Sequence, residues 1–210
     1  MVNYRELISS FTKEDYEQNL INLHIHTNYS DGRADFEDII HQAQEKGYKY
    51  IAISDHNTMN GYVKTAIKKD FLIPAVEFDV WYGPIFCHIL AYGVDFNNET
   101  FKPFLAKNER EIRCKFTRLL PTRDMQKLIN AIHAAGGIAV LAHPACCWAL
   151  SLDNLFSSLK KLGLDGAEVY YPYERHRGII KFHRASTVEK YATKHNLIKT
   201  GGTDLHRTTI

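Results

Sequence analysis

Short apolar runs alternate with amphipathic stretches along the chain. Tyr4, Leu7, Ile8 and Phe11 recur at helical spacing, and Ile21–Thr27 reads as a strand. Phe36, Ile39, Ile40 and Ala43 mark one face of a helix, with Asp35 placed to cap it and Gly47 to stop it. "YKYIAISDH" is a second strand ending at Asp55 and His56, and a short helix is expected near Gly61–Lys69. "FLIPAVEFDVWY" and "IFCHILAYGVD" are two strands joined at Gly83 and Pro84. Residues from about 99 to 119 are charged and helical in pattern. Met125, Leu128, Ile129 and Ile132 mark the next helix, closed by Gly136 and Gly137, and "IAVLAHP" follows as a strand. Leu152, Leu155, Phe156, Leu159 and Leu162 form a helical stripe ahead of the strand "GAEVYY". A helix with Val188, Tyr191 and Ala192 on one face then runs to about His195, and "KTGGTD" is the last strand.

Strands alternating with helices imply parallel strands joined by right-handed crossovers. About seven strands with nearly as many helices suggest a barrel. A doubly wound sheet competes, weakened by the lack of a glycine-rich dinucleotide loop or a phosphate-binding loop. The 210 residues suffice for one sizeable core and are too few for two typical domains. Hydrophobic residues make up 45% and charged ones 24%, which places the chain among globular proteins rather than disordered ones. With 26 basic and 24 acidic side chains the net charge is +2, so nothing global draws the chain to nucleic acid or anionic membrane. No apolar run reaches membrane-spanning length, and the start, "MVNYRELISSFTKEDYEQ", has no apolar signal-peptide core; the expectation is a cytoplasmic protein. Cys87, Cys114, Cys146 and Cys147 form no C-x-x-C pair, and the adjacent Cys146 and Cys147 read as packed thiols.

The polar residues are placed less evenly than the composition. His24 and His26 stand two apart on the first strand and project to one side, with Leu23 and Ile25 on the other. That pair alone is compatible with two hydrogen-bonded core histidines. The set is larger: Asp31 follows in the next loop, and Asp55, His56, Glu77, His88, His143, Glu168, Asp204 and His206 lie on or at the ends of later strands. In a parallel barrel those ends share one rim, where the active site sits. Ionisable groups at nearly every strand end are costly to bury unless something compensates them, and bound cations would do so. His41, His133, His183 and His195 fall in helical stretches and read as structural or solvated; His176 lies in a loop close to the rim and is undecided.

"NLHIHTNYSDG", "AISDHNT", "VEF", "CHILAYG", "AVLAHP", "GAEVYY" and "GTDLH", in this order, resemble the PHP (polymerase and histidinol phosphatase) domain family, and within it the small stand-alone metal-dependent phosphoesterases. The resemblance spans nearly the whole chain. It implies a single domain folded as a distorted seven-stranded (β/α)7 TIM-like barrel over residues 21–210, preceded by a helical segment over 1–20, with up to three divalent metals. Carried over, His24, His26, Glu77 and Asp204 would hold one metal. Glu77 would bridge to a second, held also by His88 and His143, and Asp31, His56 and His206 would hold the third. Asp55 and Glu168 match motifs too, in supporting roles. Glu77, Asp31 and His206 are the implied catalytic residues. The chain departs from the family in three ways: Asn22 replaces an acid before "LHIH", the region between the fourth strand and "AHP" has no room for an inserted domain, and Ala145, Cys146 and Cys147 stand where relatives often place an arginine. Asn22 can still hold a histidine by hydrogen bond.

Three such cations would neutralise a phosphate, generate hydroxide from bound water and stabilise the leaving oxygen. Histidine and carboxylate donors without cysteine suit manganese, iron or zinc better than magnesium. The expected activity is hydrolysis of a small phosphomonoester, a nucleotide or a short oligonucleotide, with no membrane partner. Arg175, Arg177, Lys199 and Arg207 are candidate phosphate contacts. Histidinol phosphatase is the alternative enzyme, and a catalytically silent metal-binding domain the alternative of another class. A polymerase proofreading module is disfavoured.

Overall fold

A computed structural model describes residues 2–173 and 183–210. Seven strands form one sheet in the order of the chain: β1 (Ile21–Ile25), β2 (Tyr50–Ile53), β3 (Leu72–Tyr82), β4 (Ile85–Tyr92), β5 (Ile138–Leu141), β6 (Gly166–Tyr170) and β7 (Ile198–Gly201). The β1–β2–β3 and β5–β6–β7 pairings are parallel, whereas β4 is antiparallel to both β3 and β5. The all-parallel expectation is therefore corrected. Only Gly83 and Pro84 separate β3 from β4, a link too short for a parallel crossover. No ladder closes β7 onto β1 among the described residues. Contact there is an isolated parallel bridge between Ile25 and Leu205, helped by the His26 amide donating to the Leu205 carbonyl at 2.9 Å.

Two helices precede the sheet, α1 (Tyr4–Ser9) and α2 (Lys13–Glu17); Asn3 caps the first and a Thr12–Asp15 capping box starts the second. α3 (Phe36–Glu45) and α4 (Asn60–Thr65) follow β1 and β2. The segment after β4 holds α5 (Glu109–Arg113) and α6 (Lys115–Arg118), two short helices where the sequence pattern suggested one long stretch. α7 (Met125–Ala134), α8 (Leu152–Lys161) and α9 (Ala185–Lys194) complete the order.

Strand side chains divide between two cores. Ile51, Ile53, Phe78, Ile89, Leu141 and Val169 pack with the buried faces of α3, α7, α8 and α9. Leu23, Ile73, Leu90, Tyr92 and Val140 form a second cluster with Ile8 of α1, flanked by Phe11 and Tyr16. Leu23 and Ile25 thus enter different cores, not one shared face. The cause is a bulge: Asn22 to Ile25 on β1 spans the same register as Ile51 to Ile53 on β2. One extra residue re-aims the side chains that follow it.

Candidate metal centre

β1 delivers His24 and His26, both fully buried, with Nε2 atoms 3.1 Å apart. Two loops press on that strand. A Cβ on Gly32 would meet the His26 carbonyl oxygen at 2.4 Å, and one on Gly202 would meet the His24 nitrogen at 2.4 Å. Glycine at both places lets the loops carrying Asp31 and Asp204 approach. Asn57, His143 and Asp204 are non-glycine residues with positive φ, at 58°, 31° and 49°. This is the strained backbone typical of positions fixed by function.

Glu77 is the hub. Its Oε2 lies 3.4, 3.3 and 3.2 Å from His24 Nε2, His26 Nε2 and His56 Nδ1. Its Oε1 lies 3.0 Å from His88 Nδ1 and 3.2 Å from His143 Nε2. Asp204 Oδ1 is 3.1 Å from His26 Nε2. Asp31 Oδ1 is 3.2 Å from His206 Nε2, and Asp31 Oδ2 is 3.7 Å from His56 Nε2. All nine residues expected to converge are brought together here. Four groups have donor atoms close enough to hold a metal ion: His26, Asp31, His56 and His206; His24, His26 and Glu77; His24, His143 and Asp204; and His56, Glu77 and His88. These overlap the carried-over sets without coinciding, since His26 joins the Asp31 group and His143 joins Asp204. His88 arrives differently from the rim argument. β4 runs against its neighbours, so His88 reaches the cluster from inside an antiparallel strand, opposite Asp79 of β3.

Supporting bonds fix the donors. Glu168 Oε1 is 2.9 Å from His24 Nδ1, and Glu168 Oε2 accepts from the His143 amide at 2.8 Å. Asp55 accepts from the Thr27 amide at 2.7 Å, from the Thr27 hydroxyl at 2.6 Å and from the Ser30 hydroxyl, which braces the loop carrying Asp31. The Tyr171 hydroxyl donates to Asp204 Oδ2 at 2.8 Å. Asn22 holds a histidine through its backbone: it accepts from the amides of His24, at 3.3 Å, and Thr203, at 3.0 Å. It thereby ties β1 to the loop after β7.

Two buried residues escaped the sequence reading. Asp79 stands two after Glu77 on β3, and its Oδ1 is 3.1 Å from His88 Nε2. The same i, i+2 logic applied to His24 and His26 would have found it. Arg118 of α6 donates to Asp79 at 3.0 and 3.2 Å and to Asp31 at 2.9 Å. No local pattern marks Arg118, which stands among exposed cations of a charged segment. Arg113 of α5 adds a bond to the Ser30 carbonyl at 2.8 Å. Of the candidate phosphate contacts, Arg207 is exposed beside His206. Lys199 pairs at 3.5 Å with Glu189 of α9 and joins none of the four groups. Arg175 and Arg177, with His176, lie outside the described residues. His133 and His195 bond Asp165 and Asp153, and His183 bonds the Ala149 carbonyl. His41 stands 3.4 Å from Glu45 on an exposed turn of α3. All four cysteines are free thiols.

The electrostatics are those of a crowded site. Burial alone would push His24 and His26 down, but Glu168, Glu77 and Asp204 outweigh it at His24, and Asp204 and Glu77 raise His26 to about 9. Burial is likewise overcome at His88, which Glu77 and Asp79 raise to about 10. At His56 burial wins and lowers it to about 3. Burial opposes ionisation of Glu77, Asp31 and Asp204, yet the surrounding imidazoles hold all three below the usual carboxylate range. Asp55 is pushed up by burial.

The donor set fits metal ions. The surrounding carboxylates favour the imidazolium forms of His24 and His26, which would set two N–H groups facing one another across 3.1 Å. His26 Nδ1 and His143 Nδ1 are buried without a hydrogen bond, and Asp31 Oδ1, His56 Nδ1 and His88 Nε2 face charged neighbours at 3.1–3.2 Å without hydrogen-bond geometry. Neighbouring donors about 3.0–3.4 Å apart are what bonds of roughly 2.1 Å to one cation produce.

An α/β sheet carrying histidine and carboxylate donors from nearly every strand defines a class of metal-site proteins. The PHP domain model matches residues 22–199, and the chain belongs to that family. It is 31% identical over 170 residues to an uncharacterized protein of Methanocaldococcus jannaschii, covering 73% of this chain and 82% of that one. Its fold is similar to that of an inferred metal-dependent phosphoesterase of Bifidobacterium adolescentis, with a TM-score of 0.65, 20% identity and coverage of 90% and 88% of the two chains. An amidohydrolase of Chromobacterium violaceum, solved with sulfate and without metal, gives 0.66 at 18% identity over 89% and 87%. A two-domain Bacteroides vulgatus protein with a predicted PHP-like metal-dependent phosphoesterase gives 0.57 at 16% identity, over 90% of this chain and 52% of that one.

Proposed function

We propose that this chain is a metal-dependent hydrolase of phosphate esters, with His24, His26, Asp31, His56, Glu77, His88, His143, Asp204 and His206 as ligands of up to three manganese, iron or zinc ions. The observation that carries this is the Glu77 carboxylate, which faces imidazole nitrogens of His24, His26, His56, His88 and His143 within 3.4 Å. Two carboxylate oxygens cannot satisfy five imidazoles by proton sharing alone, and cations held among these imidazoles would compensate the crowding around Glu77. We further read the sheet as a distorted barrel, supported by the Ile25–Leu205 bridge that brings its two ends together.

Divalent metals there would neutralise the phosphate and lower the pKa of water. The chain's own residues hold the donors in place. Glu168 fixes the His24 ring and the His143 backbone, Asp55 fixes the Asp31 loop, and Tyr171 orients Asp204. Asp31 and His206, with side-chain exposures of 26% and 40%, are the most exposed members of the cluster. Arg207, exposed beside His206, is read as a phosphate contact, as are Arg175 and Arg177. The substrate is a small phosphomonoester, a nucleotide or a short oligonucleotide.

The test is hydrolysis of phenyl phosphate, nucleotides, a short oligonucleotide and histidinol phosphate by protein loaded with each metal, beside Glu77→Ala. Turnover that tracks metal content and is lost in Glu77→Ala is expected. Selective turnover of histidinol phosphate would favour the alternative enzyme. Folded, metal-loaded protein that hydrolyses none of the panel would leave the silent metal-binding domain.

A further inference from the structure

Beside the cluster lies a cavity of about 430 Å³ with walls of a different character. Trp81 and Phe86, on the paired strands β3 and β4, meet with ring centroids 5.2 Å apart. Pro84, Leu119 and Trp148 extend the apolar wall, the thiols of Cys146 and Cys147 also line it, and Trp81 and Trp148 are 39% and 65% exposed. The inner wall is His88 and His143, both members of the metal-site groups. Phe86 meets the His88 ring edge-on at 5.2 Å. Among the described residues, no lysine, arginine or carboxylate lines the cavity.

That continuity decides the occupant. A group entering from the cluster side is whatever is attached to the phosphate held there. The described walls are aromatic and aliphatic side chains and thiols beside two imidazoles, and against them a polyol would lose hydrogen bonds to water with few partners in return. A flat uncharged ring loses little and stacks on indole and phenyl faces. The Trp81 indole is already held, its Nε1–H donating to the Leu119 carbonyl at 3.0 Å. Leu119 directly follows Arg118, which bonds Asp31 at 2.9 Å, so the aromatic wall and a candidate ligand are fastened to the same turn.

We propose that this cavity binds the aromatic organic part of the phosphate ester, an aryl ring or a nucleobase, with Trp81, Phe86 and Trp148 as its specificity residues. The proposal rests on the phosphoesterase reading and deepens it by naming the substrate class.

The chain has two tryptophans and both line the cavity, so intrinsic fluorescence reports it directly. Zinc-loaded protein is titrated with phenylphosphonate, methylphosphonate, hexylphosphonate and adenosine, none of which is a phosphate ester. Phenylphosphonate is expected to bind about tenfold more tightly than methylphosphonate, the worth of one stacked ring. Trp81→Ala should cut that preference to about threefold or less, and Trp81→Phe should keep most of it, since a phenyl ring still stacks. Circular dichroism checks folding, and Phe86→Leu replaces Trp81→Ala if that variant does not fold. Saturable quenching by adenosine at comparable concentrations assigns a nucleobase, and its absence assigns an aryl ring. Equal affinity for methylphosphonate, tighter binding of hexylphosphonate, or a preference that survives Trp81→Ala overturns the proposal. Turnover of phenyl phosphate and glycerol 2-phosphate is measured in parallel. Hydrolysis of both without aromatic preference in binding sinks the cavity assignment and leaves the phosphoesterase reading. Aromatic binding without hydrolysis of either does the reverse.

Discussion

Arg118 and Asp79 form a two-pronged ion pair, Nε to Oδ2 at 3.0 Å and Nη2 to Oδ1 at 3.2 Å, between the short α6 and the middle of β3. The pair is buried, with side-chain exposures of 9% and 0%. It places a permanent positive charge beside a cluster of carboxylates and gives the segment after β4 a role in building the site.

Removing that charge takes the two-pronged guanidinium from Asp79, which stays buried against His88. Arg118→Ala should lose about 3 kcal/mol of stability in chemical denaturation, the cost of breaking one buried pair. Arg118→Lys keeps the charge without the fork and should recover less than half of that. Variants as stable as the parent would show that the pair contributes nothing net.

Asp31 comes from a loop braced by Asp55 and Arg113 rather than from a strand. Asp31→Ala should keep the circular dichroism spectrum, lose about one metal equivalent by elemental analysis, and lose roughly a hundredfold in turnover. Full turnover with one metal fewer would mean that the Asp31 group takes no part in catalysis.

Metal loading should release protons. His26 and His88 are raised to about 9 and 10, and His24 is well above its ordinary value, so all three are protonated at pH 7 before a cation binds. His56, lowered to about 3, is already neutral. Calorimetry at pH 7 in buffers of different ionisation enthalpy should report about three protons displaced, and affinity should rise with pH. In the metal-free protein His26 and His88 stabilise the fold fully below about pH 6.5 and lose that contribution as pH rises through 9 to 10. Enthalpies independent of buffer would refute this account.

Gly202 allows a backbone approach that no side chain could share, because its Cβ would sit 2.4 Å from both the His24 nitrogen and the His24 Cβ. Gly202→Ala should therefore displace the loop carrying Asp204 and lower both metal content and thermal stability, the latter by about 1–3 kcal/mol. Gly136→Ala tests backbone strain without crowding, since φ there is +79° and nothing lies within 4 Å. It should leave metal content intact.

Much of the site was legible because histidines and carboxylates on apolar strands are costly to bury, and a strand shows their shared face as an interval of two. His24, His26, Glu77, His88 and His143 stood out against apolar runs in which an ionisable side chain is costly. Asp79 obeys the same interval but lies within β3, where a single acid in an apolar run carries no strand-end signal. Arg118 carried no such mark: a cation in a charged helical segment is the commonest surface residue, and only its place in space sets it against Asp79 and Asp31.

The sequence by itself determined the strand–helix alternation and the histidines and carboxylates placed on and beside the strands, because each is a local demand on residue type. Tertiary structure alone decided the direction of β4, the bulge that sends Leu23 and Ile25 to different cores, and the grouping of donors around Glu77. The aromatic cavity beside His88 was decided there too. These depend on which strands pair and at what register, and pairing is settled by contacts between residues far apart in the chain, which no local pattern encodes.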